Sequence, residues 1–150
     1  MIAWVPAVLW IGVIALESTD WFSAEHTGRF LYPILHFLFS ISTEVFDIWH
    51  HILRKTGHFI GYFALSALLF RAWRATLRAG EGKVWAMRWA LPAFFMSVVV
   101  ASMDEWHQTY LPSRTGRLAD VLLDSMGALT AQIVIFLILS LRQSRQAAEA

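Results

Sequence analysis

The sequence predicts an all-α membrane protein, with four transmembrane helices and a short interfacial or re-entrant helix between the first and the second. Three observations predict it. Of 150 residues, 57% are hydrophobic and only 15% are Asp, Glu, Lys or Arg, against about 45–50% and about 25% in soluble domains. Several apolar runs approach the roughly 20 residues that cross a hydrocarbon core of about 30 Å. Eight Trp and eleven Phe supply rings of the kind that settle at headgroup level on either side of a bilayer. The length suits a single domain. Twelve basic residues against eleven acidic ones leave a net charge of +1, so the basic surplus that nucleic-acid binding needs is missing and no such partner is expected. With no Cys, disulfides, thiol nucleophiles and Cys-based metal sites are excluded.

The first span is expected over about 2–19. Ile2 to Leu16 is free of charge but short, and Glu17, Ser18 and Thr19 must carry the helix into the headgroups. A cleaved signal peptide is disfavoured, because no Lys or Arg precedes the run and no A-x-A site follows it. Next comes Phe30 to Ser42, thirteen residues with Pro33 and His36. That is too short to span and suits an interfacial or re-entrant helix. A five-span model with the N-terminus outside satisfies the charge rule equally, and only the length of this segment argues against it. The second span is read over 56–73, the third over 84–103 and the fourth over 118–141.

Orientation follows from the basic residues. Arg71, Arg74, Arg78, Lys83 and Arg88 crowd the link between spans two and three, a turn with Gly80 and Gly82, and Arg142 and Arg145 follow span four. Both stretches belong in the cytoplasm, and so do both termini. Trp21, Trp49 and Trp106 then fall near the outer interface, and Trp4, Trp73, Trp85 and Trp89 near the inner one. Gly57 with Gly61, and Gly127 with Ala131, predict close packing of spans two and four.

The ionisable residues of spans two, three and four lie at one end of each, and this topology makes all three ends extracytoplasmic. Lys55, His58 and Tyr62 stand at i, i+3 and i+7, along one helical stripe. Asp104 and Gln108 are i, i+4 partners with Glu105 beside them, and Asp120, Asp124 and Gly127 repeat the spacing. Thr109 to Arg117, with Pro112 and Gly116, is short enough to make spans three and four antiparallel neighbours. Four carboxylates, at Asp104, Glu105, Asp120 and Asp124, face three cations, at Lys55, Arg114 and Arg117. Near-neutrality matters, because one unpaired charge at the bilayer centre costs about 2.5–3.5 kcal/mol. Asp120 and Asp124 also gain from the positive end of their helix.

The stretches K-T-G-H-F-I-G-Y from Lys55, D-E-W-H-Q-T-Y-L-P-S-R from Asp104 and D-V-L-L-D-S-M-G from Asp120 together resemble the VanZ-like family of small bacterial membrane proteins. The resemblance covers Lys55 to Ala131, with Ser18 a further match. Asp124 stands where the family commonly has Asn. The resemblance implies a fold and a place in the bacterial inner membrane. It also implies a link to glycopeptide resistance of the teicoplanin type, which is associated with the family's namesake.

Two functions fit these residues. In the first, the convergent group is an outer-leaflet pocket that binds or modifies a lipid-linked or peptidoglycan-related anionic substrate among the membrane lipids. Glu105 and His58 are then the candidate general acid and base, since burial readily moves their proton affinity toward neutrality. The binding set is Lys55, Tyr62, Asp104, Gln108, Arg114, Arg117, Asp120 and Asp124, with Arg114 as a bidentate fork for carboxylate or phosphate. In the second, the protein is a non-enzymatic scaffold and the charges join helices. No cofactor is expected. Asp47, His51 and His58 share a helical face, but without H-E-x-x-H and with Lys55 among them no metal is assigned; these imidazoles are read as part of an amphipathic outer loop. His36 and His107 are read as interfacial and His26 as solvated. No G-x-S-x-G is present, and Ser102 and Ser125 are read as packing residues.

Overall fold

The computed structural model describes residues 2–77, 84–112 and 114–149, all helix, turn or loop. The expected turn from Arg78 to Lys83, with Gly80 and Gly82, lies outside the described residues. A 3-10 turn, Ile2–Trp4, leads into α1 (Val5–Glu17), and a second, Asp20–Phe22, leads to α2 (Ala24–Phe39). Three longer helices follow: α3 (Thr43–Thr76), α4 (Met87–Gln108) and α5 (Leu118–Glu149). Helices α3, α4 and α5 pack against one another, α1 lies on α3 and α4, and α2 touches the bundle through α3.

Helix α2 begins where the Ser23 hydroxyl accepts the His26 N–H, and it ends at Ser40, whose left-handed backbone lets its N–H reach the His36 carbonyl. Ser42 caps α3 in the same way as Ser23 caps α2, through the Val45 N–H. This corrects the expected outer loop. Residues 47–55 are helical and continuous with the second apolar run, because Phe46 and His50 place one face against α2 and the rest can remain polar. Helix α4 likewise runs past residue 103 to Gln108, since Asp104, Glu105 and Gln108 are buried rather than solvated. Helix α5 extends beyond residue 141 to Glu149.

Among the described residues, one helix is long and apolar enough to cross a membrane by itself, Leu118–Gln146. The first helix and the segment Asp20–Phe39 meet the same test only as a pair, bent by 72° at the break. Helices α3 and α4 are too polar for it: α3 opens with charged turns, and Arg88, Asp104 and Glu105 lie inside α4.

Small residues form much of the core. Ala72, Ala93, Ala101, Ala128, Ala131, Ser66 and Ser97 are fully buried, whereas Phe95, Val99, Leu122, Met126, Ile133 and Leu137 are half exposed or more. Side chains this short let backbones approach closely. At Gly127 a Cβ would collide with the Phe59 carbonyl, so glycine sets the α3–α5 distance. Gly57 and Gly61 play no such part, because a Cβ on either would meet nothing within 4 Å; they face α1, where the Trp10 indole N–H donates to the Gly61 carbonyl at 2.8 Å. The Ser66 hydroxyl donates to the Ala128 carbonyl at 3.0 Å, and the Gln132 amide donates to the Ser66 hydroxyl at 2.8 Å. Two antiparallel ends fix α4 on α5: Trp85 meets Phe136 edge-on at 5.1 Å, and Glu105 meets the start of α5.

The expected aromatic groups separate. Trp21, Trp49 and Trp106 are 83%, 66% and 63% exposed. At the opposite end Trp4 stands edge-on to Trp73. Trp89 departs from the interfacial expectation: it is buried, and its N–H donates to the Leu77 carbonyl at 2.6 Å.

Candidate functional site

The stripe on α3 finds a partner at each step. Lys55 pairs with Asp120. One turn on, His58 Nδ1 lies 3.5 Å from Asp124 Oδ2. The Tyr62 hydroxyl then donates to Asp104 Oδ2 at 3.2 Å. The i, i+4 spacing of Asp120 and Asp124 thus matches the i, i+3 spacing of Lys55 and His58 across the α3–α5 contact. Asp104 Oδ1 accepts from the Gln108 amide at 3.2 Å, within α4 as its spacing implied. Asp104, Glu105, Gln108 and Asp124 are all buried, Asp124 completely.

Glu105 is held by main chain. Its Oε2 accepts the Arg117 N–H at 2.8 Å, and the turn can pass this close only because residue 116 is glycine: a Cβ there would overlap the Glu105 carbonyl and the Thr109 methyl. Helix α4 ends at Thr109 and α5 starts at Leu118, so the turn sits over both termini.

Arg114 departs from its expected role. Its guanidinium is buried, and one nitrogen, Nη2, donates to the carbonyls of Glu17 at 2.6 Å and Thr19 at 3.0 Å. It caps α1, where the last carbonyls lack intrahelical partners and the helix dipole is negative, instead of forking a carboxylate. Beside it the Ser18 hydroxyl and His107 Nδ1 lie 3.1 Å apart, which ties the end of α1 to α4. His26 is likewise not simply solvated, its Nδ1 lying 2.9 Å from the Ser23 hydroxyl.

Between α2, the first turns of α3 and the α4–α5 turn lies a cavity of about 690 Å³. Lys55, His58, Glu105, Gln108, Arg114, Arg117 and Asp120 line it, as the spacing suggested; Tyr62, Asp104 and Asp124 lie outside its lining. Sequence reasoning did not assign the rest of the lining to this site: Glu25, Arg29 and Tyr32 on α2, and Asp47, His50, His51 and Arg54 on the first turns of α3. The available signal was the helical spacing of Asp47, His50 and Arg54, at i, i+3 and i+7. The Arg117 guanidinium carries no ion pair or hydrogen bond among the described residues. Among the described residues Arg54 reaches only the Phe22 carbonyl, at 3.4 Å. Arg114 lacks a carboxylate partner too, but its Nη2 is taken up by two carbonyls, so Arg54 and Arg117 are the less committed cations facing the cavity.

His50 joins the walls. Thr27 donates its hydroxyl proton to the Ser23 carbonyl at 2.7 Å, so at the 3.1 Å contact the imidazole Nε2–H is the donor. Phe46 stacks on the ring at 5.1 Å, with Tyr32 edge-on to Phe46. Burial and the Arg54 cation lower the His50 pKa, against the opposing pull of Asp47.

Asp47, His50 and His51 do not assemble with His58 as metal ligands among the described residues. A different group does come together: His58, Asp104, Glu105 and Asp124 each offer a donor atom within 4.8 Å of the others.

Among the described residues, five helices, with charged groups gathered where three of them meet, define a small helical protein built around a polar cluster. The family model described as VanZ/LLP1 matches residues 3–140, and the chain belongs to that family. The match takes in α1 and α2 as well as the motif-bearing helices. Comparison with curated proteins and with solved structures gives no match.

Proposed function

We propose that the chain is a four-span protein of the bacterial cytoplasmic (inner) membrane, with both termini in the cytoplasm and α2 lying in the outer interface. Its cavity then opens at the extracytoplasmic face and takes the anionic headgroup of a lipid-linked, peptidoglycan-related precursor. Support for the membrane placement comes from the outward-facing Phe95, Val99, Leu122 and Ile133 around an Ala and Ser core, an arrangement suited to lipid. Exposed indoles at one end and the Trp4–Trp73 pair at the other suit two interfaces. Because the chain has no Cys, topology can be read directly: single cysteines replacing Trp21 or Tyr110 should react with an impermeant maleimide on intact cells, and one replacing Arg145 should not.

The observation that carries the ligand assignment is the cavity with Arg54 and Arg117 on its walls and Lys55 beside them. Guanidinium groups suit phosphate and pyrophosphate oxygens. Glu105 and His58 line the same cavity, where they can exchange a proton with a bound headgroup. The test is binding of a polyprenyl pyrophosphate to purified protein in nanodiscs. Replacing Arg54 and Arg117 together by Gln should weaken binding at least about tenfold, as expected for loss of two charge-assisted contacts; unchanged binding would remove the assignment.

A scaffold reading has one observation in its favour: Lys55, His58 and Tyr62 each already meet a carboxylate on a neighbouring helix. Glu105→Gln separates the two, since a pocket predicts folded protein with altered ligand handling and a scaffold predicts lost folding or expression. The teicoplanin-type resistance associated with the namesake is a separate proposal, tested by the inhibitory concentration of teicoplanin in a susceptible host expressing the protein.

A further inference from the structure

Three carboxylates and one imidazole gather behind the cavity: Asp104 and Glu105 from the end of α4, Asp124 from α5 and His58 from α3, with one donor atom each lying within 4.8 Å of the others. Asp124 is the informative member. It is 0% exposed, and neither carboxylate oxygen has a hydrogen-bond partner, the His58 nitrogen standing off at 3.5 Å. A buried carboxylate left this way normally has a partner of some kind. Of the other cations of this end, Lys55 is committed to Asp120 and Arg114 to the carbonyls closing α1, while Arg54 and Arg117 line the cavity and, among the described residues, neither pairs with Asp124.

We propose that His58, Asp104, Glu105 and Asp124 bind one divalent first-row cation of the Mn²⁺ or Zn²⁺ type. One nitrogen and three carboxylate oxygens suit such an ion. Ligands about 2.1 Å from a tetrahedral metal lie roughly 3.4 Å apart, so donor atoms within 4.8 Å of one another need to close by at most about 1.4 Å. The ion would bring three formal negative charges down to one. The supports of a metal site are also in place: Tyr62 and Gln108 donate to Asp104, and the Arg117 N–H donates to Glu105. Such partners orient ligands and commonly carry ten- to a hundredfold of metal affinity. The ion would sit against the cavity wall formed by His58 and Glu105, within reach of an anionic headgroup. Its binding does not depend on what that headgroup is.

The experiment uses the full chain in detergent, freed of metal with a chelator and titrated with Mn²⁺ alone, without lipid substrate. Free Mn²⁺ is followed by electron paramagnetic resonance. One equivalent should bind per chain, and pulsed measurements on the loaded wild type should show coupling to a single imidazole nitrogen. Asp124→Asn and Glu105→Gln should each weaken binding at least about tenfold, with size-exclusion elution confirming that they fold. Absence of binding by the wild type, absence of nitrogen coupling, or folded variants that bind as tightly as the wild type would overturn the proposal. The nitrogen coupling is read on the wild type, so it decides even where a variant fails to fold.

Discussion

Helix α3 makes two contacts of opposite character. Against α5 it packs tightly on backbone: Gly127 lies against the Phe59 carbonyl, and the Ser66 hydroxyl donates to the Ala128 carbonyl. Against α2 it meets side chain with side chain: Phe46 and His50 lean on Tyr32 and Thr27, and α2 buries no residue. The first contact tolerates almost no added atom. The second rests on a few ring contacts and one imidazole hydrogen bond, so the cavity has one rigid wall and one lightly held wall. Glu105 and His58 line the rigid side, with Asp124 behind it, where a fixed geometry can be maintained.

The comparison breaks most readily at Gly127. Valine there should drive α5 off the Phe59 carbonyl and lower stability by about 3 kcal/mol or more, read as loss of the folded monomer in detergent. Next is Arg114→Ala, which removes two charge-assisted bonds to the end of α1 and should cost about 2 kcal/mol in thermal unfolding. Arg114→Lys should recover only part of that, because an ammonium is more strongly hydrated than a guanidinium and costs more to bury. A smaller effect is expected for the α2 contact. The His50 pKa in the folded protein is below its ordinary 6.5, so the neutral ring is the stabilising form. That contribution is present above pH 6.5 and is lost as the pH falls through the folded value. The protection factors of the α2 amides, which take out the intrinsic pH dependence of exchange, should therefore fall on acidification, and a His50→Phe variant should flatten that fall. The smallest effect sharpens the contrast between glycines. Gly57→Ala should be neutral or stabilising by roughly 0.5–1 kcal/mol, because open space surrounds that position; a destabilised variant would show that α1 packs more closely than its contacts indicate.

How far these features could be read beforehand depends on their range in sequence. The stripe of Lys55, His58 and Tyr62 was visible in helical spacing, and so was the Asp104–Gln108 bond, because both are local. Their convergence followed from a topology argument that used only the placement of Lys and Arg. The unbroken length of α3 was hidden: the polar stretch from Asp47 to Lys55 resembles a loop until Phe46 and His50 are seen against α2. Arg114 was misjudged for a different reason. Spacing reveals carboxylates as partners for a guanidinium, but the carbonyls of Glu17 and Thr19 are main-chain groups nearly a hundred residues away, and no side-chain pattern marks them. Ser66 and Gln132 escaped notice for the same lack of a local signal.

Arg117 shows how one residue can serve two parts of the molecule independently. Its peptide N–H steadies Glu105, and its side chain faces the cavity. A peptide hydrogen neither titrates in the physiological range nor disappears when the side chain is exchanged. Selection can therefore retune the charge at this position, and with it the electrostatic character of the cavity, while the carboxylate behind it keeps its orientation.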